Sequence, residues 1–243
     1  MRKQAVVLVA GSSLRLRPLT DATPKCLLEV GGSTILDRLL ERLADAGVTR
    51  AVLVTGYLAH CIEEHLDRSP PPVELTLAPN PDYATTNNAV SLLTARPHVG
   101  PGSLIICDGD VVLHGDALRR LLSEPSPCAL LVDGQTARGE EEMKVQLDEH
   151  GRVTLLSKTL DPAKSAGESI GIQKVSGAAL SRLWPTLGDL VKSGQTQVFY
   201  EAAFQQMIDA GTRFRAVPIT SDEWTEIDSI ADLEDARARF VSR

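Results

Sequence analysis

Apolar residues gather into short runs at 5–10, 51–55, 73–78 and 103–108, rich in valine and isoleucine. Runs of this length with β-branched side chains predict buried strands, and the stretches between them repeat apolar residues at helical spacing. Strand and helix in alternation predict a parallel sheet with helices on its faces. The helix after the first strand is the clearest. Ser33 or Thr34 caps it, Ile35, Leu36, Leu39, Leu40 and Leu43 share one face, and Gly47 ends it. Its other face, Asp37, Arg38, Glu41, Arg42 and Asp45, reads as solvated. A second helix is predicted over 58–66, closed by Pro70, Pro71 and Pro72, and a third over 89–95.

Beyond about residue 130 the rhythm changes. Two alternating segments, 143–148 and 152–157, flank Glu149-His150-Gly151, a pattern that predicts a hairpin turning at the glycine. A further strand is expected over 169–175, so the sheet as a whole is read as mixed and mostly parallel, flanked by helices, in the α/β class. Helices return at 177–184 and at 199–210, where Phe199, Ala203, Phe204 and Met207 recur at helical spacing as core. A last strand is expected at 213–217, and a C-terminal helix over 229–240 with Ser229 as its cap and Asp232 in its first turn. The polar stretch 136–142 reads as a flexible loop.

A chain of 243 residues suffices for one large α/β unit. A single domain over 1–243 is expected, with halves at 1–130 and 131–243. The net charge of −7 leaves no global basic field, which argues against nucleic acid as a partner and means that any anion must be met by a local pocket. Cys26, Cys61, Cys107 and Cys128 have neither disulfide-framework nor zinc-ligand spacing, and read as buried free thiols in a reducing compartment. No apolar run approaches the roughly 18 residues of a membrane span. The expected location is cytoplasmic, with no membrane partner.

The first strand empties into a loop suited to phosphate. The backbone N–H groups of Ala10, Gly11, Ser12 and Ser13 can face anionic oxygens, while Arg15 and Lys25 bring positive charge from the loop's two ends. Neither a Walker A loop nor a dinucleotide-binding G-x-G-x-x-G is present. The segment resembles the signature loop of the nucleotidyltransferases that join a nucleoside triphosphate to a phosphorylated small molecule, G-x-G-x-R-[LM]-x-P-L-T followed by P-K. Gly11, Arg15, Leu16, Pro18, Leu19, Thr20, Pro24 and Lys25 match it, and Ser13 stands where the second glycine is usual.

Nucleotidyl transfer needs the charge around phosphorus neutralised and, commonly, a metal held by acidic residues. Asp108-Gly109-Asp110 follows the strand at 103–107, at the strand end where open α/β sheets bind ligands. Asp228 lies just ahead of the last helix. An aspartate after a strand is also a turn former, and one before a helix a cap. The resemblance implies that Asp110 and Asp228 hold magnesium, and leaves Asp108 as a nucleotide-side acceptor or a turn residue. Lys158 corresponds to a lysine that holds the acceptor's phosphate in the sugar-phosphate members; a solvated lysine at a strand end is the other reading. The segment around Asn87-Asn88 resembles the Tyr-x-x-Thr-Asn-Asn-x-x-Ser-Leu of bacterial phosphocholine cytidylyltransferases and their relatives, with Asn87 on the acceptor side and Asn88 on the nucleotide side. Asn88 is alternatively the N-cap of the next helix. Gly167–171 and Phe199-Tyr200-Glu201 also look like that branch.

The resemblance implies a nucleotide-binding first half and an acceptor-binding second half. It further implies a magnesium-dependent attack of an acceptor phosphate or phosphonate oxygen on the α-phosphorus of CTP, releasing pyrophosphate. Lys25 would bridge acceptor and α-phosphate oxygens, and Arg15 would neutralise the leaving pyrophosphate. An already ionised acceptor needs no general base. Two alternatives remain: a sugar-1-phosphate uridylyl- or thymidylyltransferase, and a non-catalytic nucleotide-binding regulatory subunit. For the acceptor's head group, Tyr83, Tyr200 and Trp224 are candidate aromatic walls for a quaternary ammonium. Glu141, within Glu140-Glu141-Glu142, is a candidate partner for a primary ammonium, which donates three hydrogen bonds; a solvated acidic loop is the alternative. The acceptor expected is a small phosphorylated or phosphonylated amino alcohol, 2-aminoethylphosphonate ahead of phosphocholine.

Overall fold

The computed structural model describes residues 3–135 and 141–240. In chain order it contains β1 (Lys3–Val9), β2 (Glu29–Val30), β3 (Ser33–Thr34), α1 (Ile35–Asp45), β4 (Arg50–Thr55), α2 (Ala59–Arg68), β5 (Glu74–Pro79) and α3 (Asn88–Thr94). These are followed by β6 (Ser103–Asp108), β7 (Val111–Leu113), α4 (Ala117–Ser123), β8 (Cys128–Asp133), β9 (Lys144–Leu147), β10 (Val153–Ser157) and β11 (Gly167–Ser176). The chain ends with α5 (Ala178–Lys192), α6 (Glu201–Asp209), β12 (Phe214–Ile219), β13 (Trp224–Glu226) and α7 (Ile230–Arg239).

Among the described residues nine strands form one sheet, along the path β10-β9-β11-β6-β1-β4-β5, with β8 beside β11 and β12 beside β8. Pairing is parallel through β6, β1, β4 and β5. It turns antiparallel at β11, which pairs with β6, β9 and β8. This is the α/β mixed sheet that the patterning predicts. Strand β1 shows how the sheet splits its core: Ala5, Val7 and Val9 pack with α1 on one face, and Val6 packs with α3 and α5 on the other. Side chains alternate faces along a strand, so a fully apolar strand fills both layers.

Thr34 caps α1 by accepting from the Asp37 N–H at 3.0 Å. A capping box closes the start of α7, where Ser229 and Asp232 exchange bonds. Three expectations change. Helix α5 runs through Pro185 instead of stopping at 184; that residue is exposed, so the carbonyl it leaves unbonded can turn to water. The cap of α3 is Asn87, not Asn88, accepting from the Asn88 N–H at 2.7 Å. All four cysteines are free, but Cys61 is only half-buried, with its Sγ 3.3 Å from His60 Nε2. The polar loop expected at 136–142 lies, over 136–140, outside the described residues, and with it Glu140. No helix among the described residues is long and apolar enough to cross a membrane.

Ser13 adopts a left-handed conformation, φ 48° and ψ 53°. An L-residue there costs about 1–2 kcal/mol, against a smaller entropic cost for glycine. Ser13→Gly is therefore expected to raise the melting temperature by ~1–2 °C, since about 1 kcal/mol moves Tm a few degrees at this size. A lower Tm by thermal denaturation would contradict this account of the loop.

Candidate active site

A cavity of about 670 Å³ opens where β1 and β6 end. Its wall takes Ala10, Gly11 and Arg15 from the first loop, Asp108 and Asp110 from the end of β6, Glu226 and Asp228 from the C-terminal segment, and Asn87 and Asn88 from the start of α3. The turn at Asp108-Gly109-Asp110 rests on β1, with the Gly109 N–H donating to the Leu8 carbonyl at 3.0 Å. A Cβ on Gly109 would stand 2.6 Å from that carbonyl oxygen and collide with Val9, so only glycine lets the two strand ends meet closely enough to bring Asp110 to the loop.

Lys25 is absent from the cavity wall but stands behind it, with Nζ 2.7 Å from Asp110 Oδ2 and 2.8 Å from Asp228 Oδ1. Arg15 Nη2 lies 2.6 Å from Asp228 Oδ2. Burial works against the Lys25 charge, but Asp110 and Asp228 outweigh it and hold the ammonium above the ordinary lysine range. Burial likewise opposes the Asp228 anion, which Lys25 and Arg15 nevertheless keep below the usual carboxylate range.

The sequence reading missed Glu226. Its carboxylate has an oxygen within 4.8 Å of those of Asp110 and Asp228. Burial first, then Asp110 and Asp228, pushes it up to about 8. The available signal was its spacing: residues two apart in extended chain point to the same side, so Glu226 travels with Asp228. An all-oxygen set of three carboxylates suits a hard divalent cation such as magnesium. Asp110 Oδ1, buried and without a hydrogen-bond partner, adds an atom that such a cation would satisfy.

Asp108 faces the cavity, and its Oδ2 lies 3.1 Å from the Tyr200 hydroxyl, which is also 3.0 Å from Gln173 Oε1. One hydroxyl proton cannot serve both acceptors. Burial and then Glu201 raise Asp108 well above the ordinary range, so a protonated Asp108 can donate to Tyr200 while Tyr200 donates to Gln173. Tyr200 is thus not a pocket aromatic: it is fully buried behind Asp108 and presents no face to the cavity. Ser12 and Ser13 are likewise absent from the cavity wall, where Ala10 and Gly11 are present.

Tyr83, Glu141, Lys158 and Trp224 do reach the wall. Trp224 is 6% exposed and its indole N–H donates to Asp133 at 2.8 Å, so it is mainly core. Lys158 Nζ stands 4.3 Å over the Phe199 ring, and Phe199 lines the cavity instead of joining the core stripe of α6. Asn88 Oδ1 accepts from the Tyr200 N–H at 2.9 Å, and the Asn87 side chain donates to the Gln197 carbonyl at 3.2 Å. The asparagine pair therefore ties the start of α3 to the segment entering α6.

Glu168 and Glu201, both cavity residues, are each pushed up to about 7, mainly by burial. Their unfolded reference is 4.5. A carboxyl that is less acidic when folded favours the fold only while protonated, so this contribution is full below about pH 4.5 and lost as pH rises through 7. With chelator present, Tm is expected to fall between about pH 4.5 and 7 on this account. A Tm that climbs across that window in thermal denaturation would be the contrary result.

The sequence pattern of the MobA-like NTP transferase domain matches residues 5–194. The chain belongs to that family. This NTP transferase is 26% identical to the 2-aminoethylphosphonate cytidylyltransferase of Lancefieldella rimae, over 96% of its own length and 91% of the relative's. It is 30% identical to the CMP-5'-(3-aminopropyl)phosphonate synthase of Streptomyces rubellomurinus over 98% of its length, spanning 38% of that longer protein. Its fold matches that of the CTP:phosphocholine cytidylyltransferase of Streptococcus pneumoniae with a TM-score of 0.80 at 20% identity, covering 98% and 99% of the two chains. It is a nucleotidyltransferase, with the carboxylate cluster at the mouth of its signature loop.

Proposed function

We propose that this nucleotidyltransferase carries CMP from CTP to a phosphate or phosphonate oxygen of a small amino alcohol or its phosphonate, 2-aminoethylphosphonate being the first choice. One observation carries the chemistry: Lys25 meets Asp110 and Asp228 beside the phosphate loop, which puts one cation and a carboxylate set at a single point. The cytosine preference and the amine rest on the likeness to relatives named for CMP and aminoalkylphosphonates.

In this reading CTP lies along the first half, 1–130, against Ala10, Gly11, Asn88 and Asp108, and the acceptor lies against 131–243. Asp110 and Asp228, joined by Glu226, would hold Mg²⁺, which supplies charge neutralisation on the phosphates. The acceptor's ionised oxygen forms a bond to the α-phosphorus as the bond from that phosphorus to the bridging oxygen of the β-phosphate breaks, and pyrophosphate leaves with the electron pair. Lys25 holds the acceptor and α-phosphate oxygens together, and Arg15 faces the departing pyrophosphate. Both must first release their carboxylate partners. The reaction is placed in the cytoplasm, with small molecules as the only partners.

Pyrophosphate release is the assay, with MgCl₂ and equal concentrations of CTP, UTP, dTTP, ATP or GTP against a panel of 2-aminoethylphosphonate, phosphoethanolamine, phosphocholine, inositol phosphate and glucose 1-phosphate. CTP with an amine-bearing acceptor is expected to lead. A lead for UTP or dTTP with glucose 1-phosphate would move the chain to the sugar-phosphate branch, and no release under any pairing would leave a binding protein.

A further inference from the structure

Among the described residues four carboxylate oxygens are buried without a hydrogen-bond partner, on Asp110, Glu142, Glu168 and Glu201, and all four residues line the cavity. Asp110 is accounted for by the Lys25 cluster. Glu168 and Glu142 form a second arrangement. Glu168 is 5% exposed, and Glu142 is the carboxylate that acts on it most strongly. Neighbouring carboxylates that each bury an unfilled acceptor oxygen are unfavourable unless a donor cation sits between them.

Among the described residues, the charged groups around the pair make no hydrogen bond to those two oxygens. Glu168 also feels Asp133, Lys144 and Lys158. The Lys144 ammonium lies 3.4 Å from the Glu142 carbonyl oxygen, while Lys158 stands over Phe199. Neither oxygen gains a hydrogen bond from them. Glu142 and Glu168 line the same cavity as Asp110, Glu226 and Asp228, so an acceptor there can reach both groups. The aromatic faces that a trimethylammonium group would want are largely engaged. Lys158 covers Phe199, Trp224 is mostly core, and Tyr200 is behind the wall, which leaves Tyr83.

We propose that Glu168 and Glu142 form the subsite for the acceptor's ammonium group, and that their unfilled oxygens select a primary amine over both an uncharged chain and a trimethylammonium. The assignment rests on the cytidylyl-transfer reading above and replaces exposed Glu141 with its half-buried neighbour Glu142, whose Oε2 is buried. A primary ammonium offers N–H donors to both carboxylates, whereas a methyl group or a quaternary nitrogen offers none.

The test compares kcat/KM, by pyrophosphate release from CTP, for 2-aminoethylphosphonate, propylphosphonate and (2-trimethylammonioethyl)phosphonate. The wild-type protein is expected to favour the primary amine by roughly 100-fold or more, as sites built around a donor reject analogues that lack it. Glu168→Gln and Glu142→Gln should each cut the preference over propylphosphonate by about tenfold or more, the scale of a lost charge-assisted hydrogen bond. A wild-type enzyme equally fast with propylphosphonate overturns the subsite and leaves cytidylyl transfer standing; preference unchanged in both variants also overturns it. No release with any acceptor overturns both readings. Should the variants fail to fold, inhibition of the wild type by n-propylammonium decides: it should compete with 2-aminoethylphosphonate more strongly than tetramethylammonium does, and equal inhibition refutes the subsite.

Discussion

Asp110→Ala and Asp228→Ala should each lower the rate of CMP transfer by about 10³-fold or more while leaving the metal-free protein as stable as the wild type. The rate loss follows because each removes a carboxylate of the proposed magnesium site and an anchor of Lys25, so charge on the phosphates would go uncompensated in the transition state. Stability behaves differently because Asp110, Glu226 and Asp228 crowd within 4.8 Å of one another. Removing one carboxylate relieves repulsion, and Lys25 keeps the other partner. Pyrophosphate release and thermal denaturation with chelator measure the two effects. Wild-type turnover in either variant would dismiss the mechanism, and a large drop in Tm would mean that the aspartates serve the fold.

Lys25→Met should behave oppositely on stability. Turnover is expected to fall by roughly 10²–10³-fold, the scale seen when one preorganised electrostatic contact to a reacting group is removed. The metal-free protein should also lose about 2–4 kcal/mol, because taking one partner from a largely buried ion pair strands the other. Lys25 is 12% exposed in its side chain and is the shared partner of two carboxylates, so its loss leaves Asp110 uncompensated and Asp228 held by Arg15 alone. Millimolar MgCl₂ should restore much of the lost Tm without restoring turnover, since the cation can replace the charge but not the position of the ammonium. A variant with wild-type Tm in chelator, or one that Mg²⁺ fails to stabilise, would show that Lys25 does not balance the cluster.

These three variants separate roles that the cluster superimposes. Lys25 and Arg15 are engaged with the carboxylates that the proposed reaction assigns to magnesium. In the proposed reaction, binding of a divalent cation and a triphosphate would redistribute partners within one cluster, with cation passing to carboxylate and lysine to phosphate.

The sequence by itself determined most of what depends on local chemistry. Strands β1, β4 and β6 were legible because both of their faces are largely buried and their residues are mostly apolar, and the edge strand β5 was legible from Leu75, Leu77 and Ala78. Helix α1 was legible from its stripe and its Thr34 cap, and α7 from the Ser229 box. The loop chemistry and the aspartates could be named because short motifs fix residue types at close spacing. Only the tertiary structure decided which of these meet. Lys25 and Asp228 are 203 positions apart, and no periodicity relates residues joined solely by the order of strands in a sheet. The same holds for Tyr200: its helix-start position gave no sign that its hydroxyl turns inward to Asp108 and Gln173 instead of toward an acceptor. Glu168 lies on a strand whose neighbours on both sides come from distant segments, so its burial, and with it the carboxylate pair it makes with Glu142, exists only once β8, β9 and β11 have paired. Residue types follow from local sequence, but desolvation and charge proximity are properties of the packed chain, and those two quantities make a carboxylate into a site.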